Sequence, residues 1–426
     1  MLSFPLQKRW VLLAALVWMS HPHPREFYAE CIQGKTCASR ERLTGDWLGN
    51  RSWLEEHGIS FNLNVANFYQ GVASGGLDQR FAYSGHGDYV TNFQLGKLGF
   101  NEGLFLKLRV EHRFGENIDG TTGAFFPTAL PTDLPVAEND QLFLTNVLFT
   151  QALSERFAIF FGKLDTLDGD PNAFAHGRGM SQFMNTAMVA NPIALRTVPY
   201  ATLGCGFTIL GAEGEPLFSF TLLNAVDTAE TDGFSELFAE GVALAAELRL
   251  PTRFFDLPGH QLFAGTWNSR EFVELGQDPR IVLPNVPINQ VDSSWSLYWN
   301  FDQYLFSDSD NPKSGWGVFG RAGLADAQSN PLEWFLSFGV GGNSPLVHRR
   351  DDTFGLGWFY SGTSDEIGPF LQAALGPIGD GQGVELFYNY AATPWLHITP
   401  DLQVLVPAQE NAETALVVGV RAVMAL

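Results

Sequence analysis

Residues 103–114 read GLFLKLRVEHRF, and apolar and polar positions alternate along them. Leu104, Leu106, Leu108 and Val110 fall on one side, with Phe105, Lys107, Arg109, Glu111 and Arg113 on the other. Successive side chains of a strand point to opposite faces, so the pattern predicts a strand with one apolar and one charged face. A helix would scatter the same charges around its surface. The pattern recurs down the chain. In 239–250, Val242, Leu244, Leu248 and Leu250 alternate with Ala243, Glu247 and Arg249. In 294–306, Trp295, Leu297, Trp299 and Phe301 alternate with Ser296, Tyr298, Asn300 and Asp302. In 395–406, Leu396, Ile398, Leu402, Val404 and Val406 alternate with His397, Thr399, Asp401 and Gln403.

Strands are predicted near 61–70, 88–98, 103–114, 141–151, 156–165, 199–210, 216–225 and 239–250. A second set follows near 260–270, 294–306, 315–325, 332–342, 354–361, 383–391, 395–406 and 414–426. The total is roughly sixteen, and each segment has about the ten residues that a tilted strand needs to cross a bilayer. The fold class read from this is all-β, a transmembrane antiparallel β-barrel preceded by a short periplasmic helix. In a soluble sandwich the apolar faces would meet each other; in a membrane barrel they face lipid and the polar faces border water. Strand length, the charges on the polar faces and aromatic residues near strand ends favour the barrel. Ser154-Glu155, Thr393-Pro394 and the stretch 407–413 read as short turns, whereas 115–140, 166–198, 226–238 and 271–293 read as long loops.

Thr44 to Gly58, TGDWLGNRSWLEEHG, is the one good helix candidate, with Thr44 or Asp46 to cap its start and Gly58 to end it. Trp47, Arg51 and Leu54 share a face, and the helix is expected to seal one barrel end. Upstream, QKRWVLLAALVWM (7–19) sets Lys8 and Arg9 before a short apolar run, the form of a secretory signal, with Ala29 as a candidate cleavage site. The organisation expected is thus a signal peptide over 1–29, an N-terminal segment over 30–60 and a barrel over 61–426.

Composition narrows the function. Charged residues make up 17% of the chain, below the roughly 25% of ordinary soluble domains. Lys plus Arg number 25 against 46 Asp plus Glu, a formal net charge of −21, which argues against a nucleic-acid partner. Of three cysteines, Cys31 and Cys37 could pair locally, and Cys205, inside a strand, is expected to be a buried free thiol. Asp168-Gly-Asp-Pro-Asn172 begins like a calcium loop, but Ala173 stands where Gly is required and Gly179 where Glu should close the site, so it reads as an acidic loop. There is no HExxH, P-loop or GxSxG, no ligand spacing among the histidines, and no cofactor is expected.

Four blocks of residues resemble the carbohydrate-selective porin family, the OprB type. They are LTGDWLGNRSWLEEHGISF (43–61), residues 141–165 followed by FAHGRGMSQFMNT (174–186), DDTFGLGWFYSG (351–362), and VELFYNYAATPWLHITPDLQVLVP (384–407) with Glu385, Tyr388, Pro400, Asp401 and Gln403. The resemblance implies a sixteen-stranded outer-membrane barrel that passes sugars by diffusion. The chain departs from the family in ending Met424-Ala425-Leu426 rather than on an aromatic residue, and in carrying Leu48 after Trp47 where the family typically has Gly.

The alternation places Lys107, Arg109, Glu111, Arg113, Glu247, Arg249, Asp302, Arg321, Glu385, Asp401 and Arg421 on inward faces, as candidates to line a pore and contact sugar. Balanced charge in a lumen suits neutral polar solutes better than ions. Arg and carboxylate groups can hydrogen-bond sugar hydroxyls, and aromatic faces can stack on pyranose rings. Lys107, Arg109, Glu111 and Arg113 crowd one strand and mark the expected constriction, with 115–140 or 166–198 as the loop that folds inward. The partners expected are neutral sugars and outer-membrane lipid and lipopolysaccharide, with a homotrimer as the candidate assembly. Two rivals share the pattern, a secreted β-rich carbohydrate-active enzyme and a structural outer-membrane barrel with a plugged lumen.

Overall fold

A computed structural model describes residues 37–137, 139–308 and 314–426; the signal segment and Cys31, with its expected pairing to Cys37, lie outside them. The first half of the barrel comprises β1 (Ile59–Gly76), β2 (Phe81–Gln94), β3 (Leu104–Gly115), β4 (Phe143–Ser154), β5 (Phe157–Asp165), β6 (Ala201–Leu210), β7 (Pro216–Asn224), β8 (Val242–Phe254) and β9 (Leu257–Asn268). A short hairpin, β10 (Phe272–Val273) with β11 (Gln290–Val291), interrupts a long loop. Then follow β12 (Ser294–Ser307), β13 (Gly315–Ala325), β14 (Leu332–Asn343), β15 (Thr353–Thr363), β16 (Gly381–Thr393), β17 (Leu396–Val406) and β18 (Glu413–Ala425). Apart from the hairpin, these sixteen strands form one closed antiparallel barrel in chain order. β18 pairs with β1 from Asn64 opposite Ala425 to Gly76 opposite Glu413, so no sheet edge is left unpaired.

The outer wall follows from period two. Leu297, Leu324, Phe338, Leu386 and Leu402 are exposed, while their strand neighbours Ser296, Ser337, Glu385 and Asp401 are buried. Apolar side chains that would be costly in water therefore form a continuous lipid-facing surface. Aromatic residues ring both ends, with Trp267, Trp295 and a stacked Trp334–Tyr360 pair near the long loops and the Phe157–Phe207–Phe218 group near the short turns. Cys205 is a free thiol as expected but exposed rather than buried. It falls on the same face of β6 as Leu203, Phe207 and Ile209, so the acyl chains of a bilayer are what cover it.

Connections at the two rims differ in length, with one correction: the 407–412 turn lies on the long-loop rim, as does the 77–80 turn, because strands alternate in direction. The N-terminal helix is shorter than the sequence pattern suggests, a single turn at Trp47–Gly49 and then Asn50–Glu56. Asp46 accepts hydrogen bonds from the backbone N–H and hydroxyl of Ser52, and Gly58 ends the helix at φ +90°. Buried Arg51 lies 4.2 Å from the Trp47 ring centroid and donates to the Leu426 carbonyl at 2.8 Å, so the helix locks onto the seam where the barrel closes. Leu426 N–H donates to the Leu63 carbonyl at 2.8 Å, which adds to the same seam.

Leu48 adopts φ +63°, ψ +34°, a left-handed conformation that costs a side chain with a Cβ about 1–2 kcal/mol and glycine almost nothing. It is 38% exposed, so the apolar area it still buries offsets part of that cost. Leu48→Gly is expected to stabilise the N-terminal segment by roughly 1 kcal/mol, read as slower hydrogen exchange over Trp47–Glu56. Faster exchange in the variant would show that the leucine side chain outweighs the strain.

Candidate functional site

The barrel is not an open tube. Thr166–Tyr200, between β5 and β6, runs through the interior with most side chains buried, and the 116–142 loop between β3 and β4 also folds inward. Both loops considered for a constriction therefore enter the lumen. Backbone that leaves the sheet inside a barrel needs partners for its N–H and C=O groups. The inward-facing strand residues supply them.

Arg321 of β13 is fully buried; it donates to Asp170 Oδ2 at 2.7 Å and to the carbonyls of Ala175 at 2.6 Å, Met188 at 3.0 Å and Val189 at 3.3 Å. Arg421 of β18 donates to the Gly179 and Gln182 carbonyls at 2.7 and 2.9 Å. Glu385 of β16 accepts the N–H groups of Met184 and Asn185 at 2.6 and 3.0 Å. Glu247 of β8 accepts from Asp170 N–H and the Tyr298 hydroxyl, and Asp302 of β12 accepts from Ala173 N–H. Asp401 accepts from Gln403, which donates to the Thr128 carbonyl of the other loop, and Arg113 donates to Thr132 of that loop at 2.6 Å. Arg249 reaches Asp302 at 3.8 Å.

On the β2–β3 wall these contacts become an ion-pair lattice. Arg109 pairs with Asp88 at 3.0 Å, Asp165 at 2.6 Å and Asp168 at 3.2 Å. Arg178 pairs with Asp165 at 2.8 Å, Asp168 at 3.2 Å and Glu111 at 2.9 Å. Glu111 also accepts from Tyr200 and Thr145 and faces His86 Nε2 at 3.4 Å. Desolvated charges at these distances are tolerable only because each meets its opposite. Lys107, bonded to Asp168, keeps a side chain 26% exposed. The acidic stretch that resembled a calcium loop is spent on arginines, with Asp168 in this lattice and Asp170 on Arg321.

The sequence pattern did not single out Arg178, Tyr200 or Phe183. The available signal was Gly177-Arg178-Gly179, whose three residues adopt φ +67°, +53° and +72° and so aim Arg178 back at β3.

Across β13–β18 the interior is dry. Phe319, Phe335, Phe359, Phe387, Leu405 and Val417 point inward, each no more than 3% exposed, and pack on Phe126, Phe174, Phe183, Met188 and Ile193 of the two loops. Glycines make the room: a Cβ at Gly355 would fall 2.6 Å from Phe183 Cζ, and one at Gly317 would fall 2.7 Å from Phe174. The expectation that inward faces border water thus fails on this side, because Gly and Phe interleave with Arg321, Glu385, Asp401 and Arg421 and the two loops cover them all.

Opposite lies a cavity of about 310 Å³ between the Thr166–Tyr200 segment and the inner faces of β5, β7–β9 and β12. Its walls include Ser219, Thr221, Ala245, Thr266, Glu247 and Tyr298. That volume is at the lower end of the roughly 300–1,000 Å³ of small-molecule sites.

The 116–142 loop carries a carboxyl pair outside the strands. Burial, and then the neighbouring Asp133, push the Asp119 carboxyl up to about 8, while Asn117 donates to Asp133 at 2.5 Å. A carboxyl whose folded pKa is raised contributes stability that is full below its ordinary range and lost as pH rises through the folded value. Loop packing is therefore expected to loosen progressively as pH rises from the ordinary carboxyl range to about 8, seen as hydrogen exchange over 116–137 that speeds up beyond its intrinsic rise with pH. Asp119→Asn should abolish that dependence, and an unchanged profile in the variant would assign the effect elsewhere.

The family model described as carbohydrate-selective porin, OprB family, matches residues 78–425. No curated protein is significantly similar in sequence. Among solved structures, the high-pH structure of Pseudomonas putida OprB aligns at 17% identity over 92% of this chain and all of its own, with a TM-score of 0.78. The low-pH structure of the same protein aligns at 15% identity over 91% of this chain and 99% of its own, with a TM-score of 0.56. At such identities the likeness concerns the fold. The family match, the closed sixteen-stranded barrel and the lipid-facing outer wall agree: this chain belongs to the carbohydrate-selective porin (OprB) family and is a carbohydrate channel of the bacterial outer membrane.

Proposed function

We propose that neutral mono- and small oligosaccharides diffuse passively through the gap between the Thr166–Tyr200 segment and the β5–β9 wall, with no bond made or broken. The observation that carries this reading is electrostatic. The buried charges of the β2–β3 wall are spent on one another, and the facing wall offers the hydroxyls of Ser219, Thr221 and Thr266 beside the single carboxyl of Glu247. Hydroxyls that donate and accept suit a solute with the same groups, and weak contacts at several sites let it leave again. Lys107 with Asp168, Glu247 and Arg249 are the proposed sugar contacts among the inward candidates, being the groups nearest open space. Arg109, Glu111, Arg113, Asp302, Arg321, Glu385, Asp401 and Arg421 are proposed to act at one remove, by holding the segments that shape the gap.

The purified barrel in planar bilayers is expected to give conductance steps that sugar reduces, and liposomes containing it should swell in sugars up to a size limit. Steps without sugar block, or liposomes that do not swell, would favour the plugged structural barrel. For the assembly we propose a homotrimer within lipid and lipopolysaccharide, supported by an apolar outer wall that must be covered on every side. A detergent-corrected mass of one chain would set the trimer aside.

A further inference from the structure

Most arginines of the interior spend their guanidinium groups on carboxylates or carbonyls, but two at the long-loop end of the gap keep guanidinium nitrogens without a partner among the described residues. Arg196 and Arg270 place their guanidinium carbons 5.2 and 4.1 Å from the centroid of the buried Phe272 ring. Arg196 donates Nε–H to the Ser329 carbonyl at 3.1 Å, and its two Nη groups have no partner among the described residues. The guanidinium of Arg270 has no hydrogen bond or ion pair among them, although the charge of exposed Glu240 reaches it. None of these free nitrogens is sealed from solvent.

The pair stands on a rigid mount at the edge of the cavity. Leu195 and Val198, on either side of Arg196, line the cavity, as does Thr266 of β9, four residues before Arg270. Thr197 is fully buried and hydrogen-bonds Thr266 through its hydroxyl at 2.6 Å. Asn268 donates to the carbonyls of Thr197 and Ala225 at 3.0 and 2.8 Å. Two like charges set on one aromatic ring raise the local positive potential, which favours an anion there. Burial and the Arg270 charge both weaken the hold of Arg196 on its proton, a strain that an anion would relieve.

We propose that Arg196 and Arg270 form a carboxylate-recognition site at the long-loop mouth of the sugar path, so that the channel takes sugar acids as well as neutral sugars. The planar guanidinium fork matches a carboxylate and holds it by two charge-assisted bonds. The sugar ring of such a solute would then lie toward the hydroxyl-lined wall. The inference rests on the proposed path through that gap.

Reversal potentials across planar bilayers under a sodium glucuronate gradient, and then a sodium chloride gradient, test it in the wild type, Arg270→Lys and Arg196→Gln with Arg270→Gln. Removing both charges is expected to cut the permeability of glucuronate relative to sodium by roughly fivefold at low salt, less at high salt, and more than that of chloride. Arg270→Lys should keep most of the chloride permeability and lose part of the glucuronate preference, since an ammonium lacks the fork. Liposome swelling in glucose is the control and should not change. An equal fall for chloride and glucuronate, or a fall for glucose as well, would overturn carboxylate recognition in favour of plain charge or of a structural clasp. No change in any readout would overturn it too. Failure of glucose to enter with the wild type would instead count against the channel path itself.

Discussion

Arg321→Met is expected to release the Thr166–Tyr200 segment from the barrel wall and widen the channel. Arg321 is fully buried and joins β13 to four points of the segment, Asp170 and the carbonyls of Ala175, Met188 and Val189. Methionine fills much of the volume but donates nothing, leaving a buried carboxylate and three carbonyls short of a donor. Breaking a buried charge pair from one side costs about 3–5 kcal/mol. Asp170 would keep Asn300 and the Asn191 N–H, at 2.6 and 2.9 Å, so the cost should fall toward the lower value. The strands are hydrogen-bonded to one another and should stay closed. Single-channel conductance is expected to rise, with a larger size limit for sugars in liposome swelling. Removing both charges, with Asp170→Leu added, should restore part of the docking, because no lone charge then stays buried. Wild-type conductance and size limit in Arg321→Met would show that other contacts suffice to hold the segment.

Phe183→Ala should loosen the same segment by a different route. The ring is fully buried, 4.9 Å from the Phe387 centroid and 5.3 Å from that of Phe319, over the space left by Gly355. Removing a buried phenyl ring costs about 3–5 kcal/mol, through lost burial and the cavity left behind. Phe183→Leu, which keeps most of the volume, should cost less, roughly 1.5 kcal/mol. Hydrogen exchange over 174–190 should speed up strongly in the alanine variant and slightly in the leucine variant, with the strands unaffected. The contrast tests whether this half of the interior is dry. If water filled it, alanine and leucine would behave alike and both effects would be small.

Much of the barrel was legible along the chain because a strand has only two faces. Each of the sixteen barrel strands has a counterpart among the predicted segments, and the apolar faces of 294–306 and 395–406 are the outward ones. Local pattern loses its meaning at several places. Cys205 was read as buried since a thiol behaves as a small apolar group, but in this class of fold the apolar side is outermost. Glycine and phenylalanine on β13–β18 keep the alternation, yet they face inward, and only the packed loops explain them. The short Thr186–Val189 and Pro369–Leu375 helices and the β10–β11 hairpin lack the length to show a period at all.

Period two and strand length by themselves determined the fold class and the inward set from Lys107 to Arg421, while the resemblance of blocks such as 43–61 and 384–407 pointed to the family. What each inward residue holds was decided only by the tertiary structure. Arg321 and Asp170, or Glu385 and Met184, are far apart in sequence, and nothing local distinguishes an arginine that borders water from one that clasps a loop. The reason is physical: alternation records which solvent a face must avoid, while the course of the inserted segments depends on long-range partners for backbone groups that leave the sheet.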